Sequence, residues 1–189
     1  VDSPRPLGGP PRDARGVAQD RRRAAQCGER AHERPRGGPL DGSRKGHRIS
    51  APKGVVTRPT GDRVREAAFS LIGPVEDATV LDLFAGSGAM GLEALSRGAL
   101  RCVFVERDRE ACRVIRGNLE KLRFTGALVL NRDTASALRD ERARGHRYDL
   151  VLVDPPYEEW EHYSAPLAEL LPAVLEEDGV DVHQVKQLL

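Results

Sequence analysis

The chain has 189 residues, of which 31% are charged, 39% apolar and only 4% aromatic. That length suits one domain or a domain with an appendage, and the composition describes a soluble chain short of large core side chains. Its formal net charge of +1 conceals a division: residues 1–48 hold 12 Lys and Arg against 6 Asp and Glu, whereas residues 49–189 hold 18 against 23.

The first 48 residues also contain 14 Gly and Pro, 10 apolar residues and no aromatic one. Such a stretch cannot bury enough surface to offset its ordering entropy, so residues 1–41 read as a basic, disordered leader. Arg21-Arg22-Arg23 is a candidate arm for nucleic-acid phosphates, set against a plain tail or sequence that is not natural coding sequence. No apolar run approaches the roughly 20 residues of a membrane-spanning helix, and no signal-peptide core is present, so a cytoplasmic protein without a membrane partner is expected. Cys27, Cys102 and Cys112 form no C-x-x-C pair, and no histidine spacing beside them suggests a metal.

Periodicity begins near Thr60. Asp62 to Ile72 reads as a helix, with Val64, Ala67, Ala68, Leu71 and Ile72 at helical spacing, and Gly73-Pro74 stops it. Thr79 to Phe84 is a buried strand; Ala85 to Gly91 is a glycine-rich turn leading to a helix that ends near Arg97. Strands are predicted over Arg101 to Glu106, Ala127 to Asn131 and Tyr148 to Val153. Helices are predicted over Asp108 to Leu122, Thr134 to Arg144 and Pro166 to Leu175. Apolar strands alternating with helices indicate an α/β fold with a doubly wound parallel sheet, whose ligands bind just beyond the carboxyl ends of the strands.

The loops fall there. Gly86-Ser87-Gly88-Ala89-Met90-Gly91 is a G-x-G-x-x-G between strand and helix, and Glu106 ends the next strand, where a carboxylate can accept both hydroxyls of a ribose. A nicotinamide or flavin dinucleotide and S-adenosylmethionine both use this layout. Asp82, four residues before Gly86, would repel a pyrophosphate and attract the ammonium of a methionine, which favours S-adenosylmethionine. Asp82 can instead, or in addition, bind loop amides. Asp133 after the third strand is placed either to accept an adenine amine or to cap the helix from Thr134.

Asp154-Pro155-Pro156-Tyr157 follows the fourth strand. Two prolines fix a rigid turn that presents the Asp154 carboxylate, a proline carbonyl and the Tyr157 ring together. An exocyclic nucleobase amine is a poor nucleophile because its lone pair is delocalised into the ring. Two acceptors on its N–H groups draw the nitrogen toward tetrahedral geometry, and an aromatic ring can stack on the extruded base.

Thr57-Arg58-Pro59-Thr60-Gly61-Asp62-Arg63-Val64-Arg65-Glu66, the run from Leu81 to Gly98 and Asp154-Pro155-Pro156-Tyr157 together resemble the RsmD-type bacterial methyltransferases. The resemblance covers Gly42 to Leu175. It implies a Rossmann-like class I methyltransferase, S-adenosylmethionine as donor, and the N2 amine of one guanine in 16S ribosomal RNA as acceptor. It further implies a 30S subunit or assembly intermediate as partner and a monomeric enzyme. By position, Asp82, Phe84 and Gly86 to Gly88, with Ser87 between, would hold the methionine end, Glu106 the ribose and Asp133 the adenine. Asp154 to Tyr157 would hold the guanine, and Arg58, Arg63 and Arg65 become candidates for RNA phosphates, against a solvated helix face.

Both ends depart from that pattern and read as a shifted reading frame or a truncated gene. Residues 1–41 lie outside the match, and residues 176–189 form an atypical tail without a convincing strand. The sheet is therefore expected to lack its last strands, leaving Tyr148 to Val153 at an edge and the chain marginally stable, with weak activity or none. The competing readings are a non-catalytic RNA-binding remnant and a nicotinamide-dependent oxidoreductase.

Overall fold

The computed structural model describes residues 36–51 and 62–183. The described residues open on a hairpin: Arg36–Pro39 (β1) pairs antiparallel with Arg48–Ser50 (β2) around a 3-10 turn at Gly42–Arg44. Leu40 and Ile49 bury their side chains beneath it. Arg36–Pro39 lies inside the segment assigned from composition to the leader, so that part of it is a strand; residues 1–35, with Arg21 to Arg23, lie outside the described residues. The helix Asp62–Ile72 (α1) follows.

Five parallel strands then assemble: Thr79–Leu83 (β3), Arg101–Glu106 (β4), Ala127–Asn131 (β5), Tyr148–Val153 (β6) and Leu175–His183 (β7). Their order across the sheet is β5-β4-β3-β6-β7. The helices Ala89–Ser96 (α2) and Arg109–Leu122 (α3) connect β3 to β4 and β4 to β5. The chain then crosses back through Thr134–Ala143 (α4) to β6 and through Trp160–Val174 (α5) to β7. One core packs Phe69, Leu92 and Ile115 on one face of the sheet; a second packs Leu138, Leu167 and Leu170 on the other. Central β3 is covered on both faces, which explains why Val80, Leu81 and Leu83 are all apolar and makes the buried Asp82 between them the exception. Strand order reverses between β3 and β6, and the crevice beyond their carboxyl ends is where such sheets bind ligands.

Two expectations are corrected. The tail after Leu175 is a strand, and β6 is flanked on both sides. The register jumps from Tyr148↔Leu175 to Leu150↔Val180, so the polar run Glu176-Glu177-Asp178 bulges out of the ladder and only Val180 to His183 pair regularly. A side chain at Gly179 would place its first carbon 2.9 Å from the Tyr148 carbonyl oxygen, so glycine permits the return. The last helix starts at Trp160, with Pro166 and Pro172 inside it. Each proline deletes a backbone bond and costs about 3 kcal/mol in an exposed helix, but Tyr163, Leu167, Leu170, Leu171 and Val174 form a buried stripe that holds the helix together.

The hairpin and α1 are fastened to α2 by one buried carboxylate. Glu93 is 1% exposed; its Oε2 accepts from Arg65 Nε at 2.9 Å, its Oε1 accepts from Arg97 Nε at 2.7 Å, and both oxygens face the Asp41 N–H at 3.2 Å. Gly42 lies so close to α2 that a Cβ there would sit 2.1 Å from the Ser96 carbonyl oxygen. Farther along, Asn118 exchanges two hydrogen bonds with the Ser50 backbone, at 2.8 and 2.9 Å. Replacing Glu93 with alanine strips Arg65 of its buried carboxylate, and denaturant unfolding should show a loss of about 3–5 kcal/mol; a loss below about 1 kcal/mol would show that the network is incidental.

Candidate active site

Three loops meet at the carboxyl ends of β3, β4 and β6. The first turns through left-handed backbone at Phe84, Gly86 and Gly88, with φ of 58°, 55° and 76°. Glycine is required twice by packing: a Cβ at Gly88 would approach Ile115 Cγ1 to 2.9 Å, and one at Gly91 would approach Phe104 Cε1 to 2.3 Å. The start of α2 therefore lies flat on the sheet, leaving the loop above it as a bare backbone cradle.

Carboxylates hold that cradle. Glu106 accepts from the Gly86 N–H at 2.8 Å through one oxygen and from the Asp108 N–H at 2.7 Å through the other. Asp82 is buried and accepts from the Gly91 N–H at 2.9 Å. Burial pushes its carboxyl up to about 7; the Gly91 N–H opposes the rise, and the charges of Asp154 and Glu106 add to it. Asp82, Glu106 and Asp154 therefore share one electrostatic environment, which attracts an organic cation and disfavours a phosphate.

Asp154 is half-buried at the end of β6, Pro155 is buried, and the carbonyl of exposed Pro156 accepts from the Glu159 N–H at 2.9 Å. That bond closes a single 3-10 turn at Tyr157–Glu159, which leads into α5. Glu159 in turn pairs with Arg107 from the loop after β4, and this contact holds the guanidinium more firmly charged than usual.

Asp133 does what its capping alternative described: Oδ1 accepts from the Ser136 N–H at 3.0 Å, starting α4. Its Oδ2 accepts from the hydroxyl of Tyr163 at 2.6 Å. Burial raises the carboxyl, but the Tyr163 and Ser136 donors outweigh it and hold Asp133 below the usual range. Asp133 remains exposed, so its outer lone pairs face solvent beside the loop of Glu106. The Tyr163 ring also meets Phe84 edge-on, centroids 4.7 Å apart. Tyr163 was not singled out from sequence; its place in the apolar stripe becomes legible once the helix is begun at Trp160.

Arg63 is exposed on α1. Arg65 is not on a solvated face: it is buried against Glu93, so the phosphate-binding assignment is corrected to an interior ion pair. Arg58 and the side chain of Tyr157 lie outside the described residues.

A family model described as "Conserved hypothetical protein 95" matches residues 40–187. This span begins and ends beyond the boundaries drawn from sequence and takes in β7. The chain is 42% identical over 147 residues to "Putative rRNA methyltransferase YlbH" of Bacillus subtilis, covering 74% of this chain and 77% of that one. It is 41% identical over 119 residues to "Ribosomal RNA small subunit methyltransferase D" of Escherichia coli K12, and that alignment covers 62% of this chain and 59% of the relative. A solved hypothetical protein from Thermus thermophilus superposes with TM-score 0.67 at 33% identity, over 76% of this chain and 82% of that one.

The raised Asp82 fixes the sign of a pH dependence. Its folded value of about 7 exceeds the ordinary carboxylate value of 3.8, so between those limits the folded state holds more protons than the unfolded one. Stability from this group is full at low pH and falls as pH rises toward 7, by at most about 1.4 kcal/mol per pH unit. Asp82→Asn should flatten that part of the curve in urea titrations at pH 5, 6 and 7; an unchanged slope would assign the dependence elsewhere.

Proposed function

Because the chain belongs to the family described as "Conserved hypothetical protein 95", we propose that it transfers a methyl group from S-adenosylmethionine to the exocyclic N2 amine of a guanine in 16S ribosomal RNA. The reading rests chiefly on one observation: the carboxylates of Asp82 and Glu106 anchor a glycine cradle, and the Asp154 turn lies close enough for its charge to act on Asp82. The relatives' names, which specify ribosomal RNA methyltransferases, support the substrate class.

The residues present fit the donor. Ionised Asp82 faces its ammonium, the Gly86 to Gly88 backbone accommodates its methionine end without side-chain interference, and Glu106 accepts from the ribose hydroxyls. Asp133 accepts from the adenine amine. S-adenosylmethionine supplies an electrophilic methyl on a sulfonium.

Asp154 and the Pro155 carbonyl accept the two N–H bonds of the guanine amine and aim its lone pair, while Tyr157 stacks on the base. The nitrogen lone pair forms the new N–C bond as the S–CH3 bond breaks with its electrons left on sulfur. The methylated nitrogen then loses a proton to Asp154 or to water. Arg58 and Arg63 meet RNA phosphates at the entrance. The substrate is a 30S subunit or assembly particle, met by a monomeric cytoplasmic enzyme; no helix among the described residues is long and apolar enough to cross a membrane.

A nicotinamide dinucleotide would set its pyrophosphate against Asp82 and Glu106, which disfavours the oxidoreductase reading. The reading as a non-catalytic remnant rested on an open flank of β6, and β7 covers that flank.

Incubation with labelled S-adenosylmethionine and 30S particles lacking the modification, followed by nucleoside analysis, should yield N2-methylguanosine; label on another nucleoside, or none, would overturn the assignment. Asp154→Ala should lower kcat at least ~100-fold while S-adenosylhomocysteine still binds; undiminished turnover would remove Asp154 from the chemistry. Affinity for S-adenosylhomocysteine should rise with pH up to about 7 as Asp82 ionises, then level off. Asp82→Asn should weaken binding and abolish that rise, whereas a persistent rise would exclude Asp82 as the ammonium partner.

A further inference from the structure

A chain whose acidic crevice repels phosphate must hold a polyanion elsewhere. From Arg109 to Arg132 the sequence carries six Lys and Arg against two Glu, whereas β7 carries four acids and no Lys or Arg. These two segments lie at opposite edges of the sheet, so the described part of the molecule is electrically polarised along the strand order, positive at β5 and negative at β7.

The positive edge is organised. Arg109, Arg113, Arg116 and Arg123 are all exposed, and their spacing of four, three and seven residues aligns them along one side of α3 and its C-terminal cap. Arg113 pairs with Glu110 on its own helix, at 2.9 Å. Arg116 extends over the edge strand and donates to the Val129 carbonyl at 3.2 Å. Between helix and strand runs a groove of about 420 Å³ whose lining includes Leu119, Phe124, Leu128 and Val129, with Arg116 and Arg123 against the single acid Glu120. The helix is about 20 Å long, and the row begins three residues after Glu106, at the rim of the crevice.

Resting on the reading of the chain as an RNA methyltransferase, we propose that the substrate RNA lies along the β5 edge, its phosphates on the arginine row of α3 and its unpaired bases over the apolar groove. Phosphates contribute the affinity and position the strand, while the crevice at the head of the row receives the target base. The acidic β7 edge keeps the RNA from binding in the opposite sense.

The test is binding of unmodified 30S particles as a function of KCl concentration, using the full chain and two triple variants. Arg113→Gln/Arg116→Gln/Arg123→Gln should lower the slope of log affinity against log salt by about 2, since each of the three lost phosphate contacts on a single strand contributes about 0.7. Affinity for S-adenosylhomocysteine should stay unchanged, which reports an intact fold. The corresponding triple lysine variant keeps the charges and should keep the slope. An unchanged slope in the glutamine variant, with the parent binding normally, overturns the arginine row alone. A parent that binds no particle overturns the RNA reading along with it. Self-association that the glutamine variant abolishes, with particle affinity unaltered, assigns the row to the acidic edge of a second copy and also overturns the proposal.

Discussion

A buried carboxylate that satisfies two arginines and a backbone N–H holds the molecule's front half together. Glu93 stands on α2, the helix that opens at the glycine cradle, and its partners come from α1, from the end of α2 and from the hairpin. Desolvating those charges costs several kcal/mol per ion, and only near-complete hydrogen bonding offsets it. The geometry is therefore demanding: helix, hairpin and cradle are placed together or not at all. Neither core cluster could supply such directional placement, because apolar burial is non-directional.

The crevice follows a related logic. Asp82 and Glu106 are anchored to amides of the loop they shape, while their remaining lone pairs are the ones a donor molecule would use. A carboxylate fully engaged by backbone N–H groups would be acidic and rigid; one left without them would be protonated in this interior. Asp82 lies between those cases, its value set by burial against a single amide. Tyr163 acts similarly at the far end, where one hydroxyl fixes Asp133 and one ring supports Phe84 in its left-handed conformation. The helix that begins beside the Asp154 turn thus also stabilises the loops of the opposite half.

Reading the chain without coordinates located the four strands from Thr79 to Val153, because each is an apolar run bounded by turn residues, and it located the loops that follow them. It failed where one local signal concealed a stronger tertiary one. Pro166 resembles a helix start, yet the apolar stripe through Tyr163 and Leu167 carries the helix back to Trp160. Three consecutive acids after Leu175 resemble a tail, yet they loop out of a strand. The Arg65–Glu93 pair joins residues 28 positions apart, and neither residue carries a local mark of burial. The candidate loops were legible; the hydrogen bonds that orient them were not, since those depend on which side chain reaches which amide.

The outward loop in β7 separates two demands that a regular strand would merge. Residues 176–178 carry no ladder position, so their number and identity are decoupled from the pairing of Val180 to His183 with β6. Insertions or substitutions there leave the alternation of Val180, Val182 and their neighbours in place, whereas one residue added after Gly179 would turn every following side chain to the opposite face. The stretch at the amino end of the sheet, remote from the crevice, can therefore vary in length up to a single glycine, and beyond that glycine it cannot.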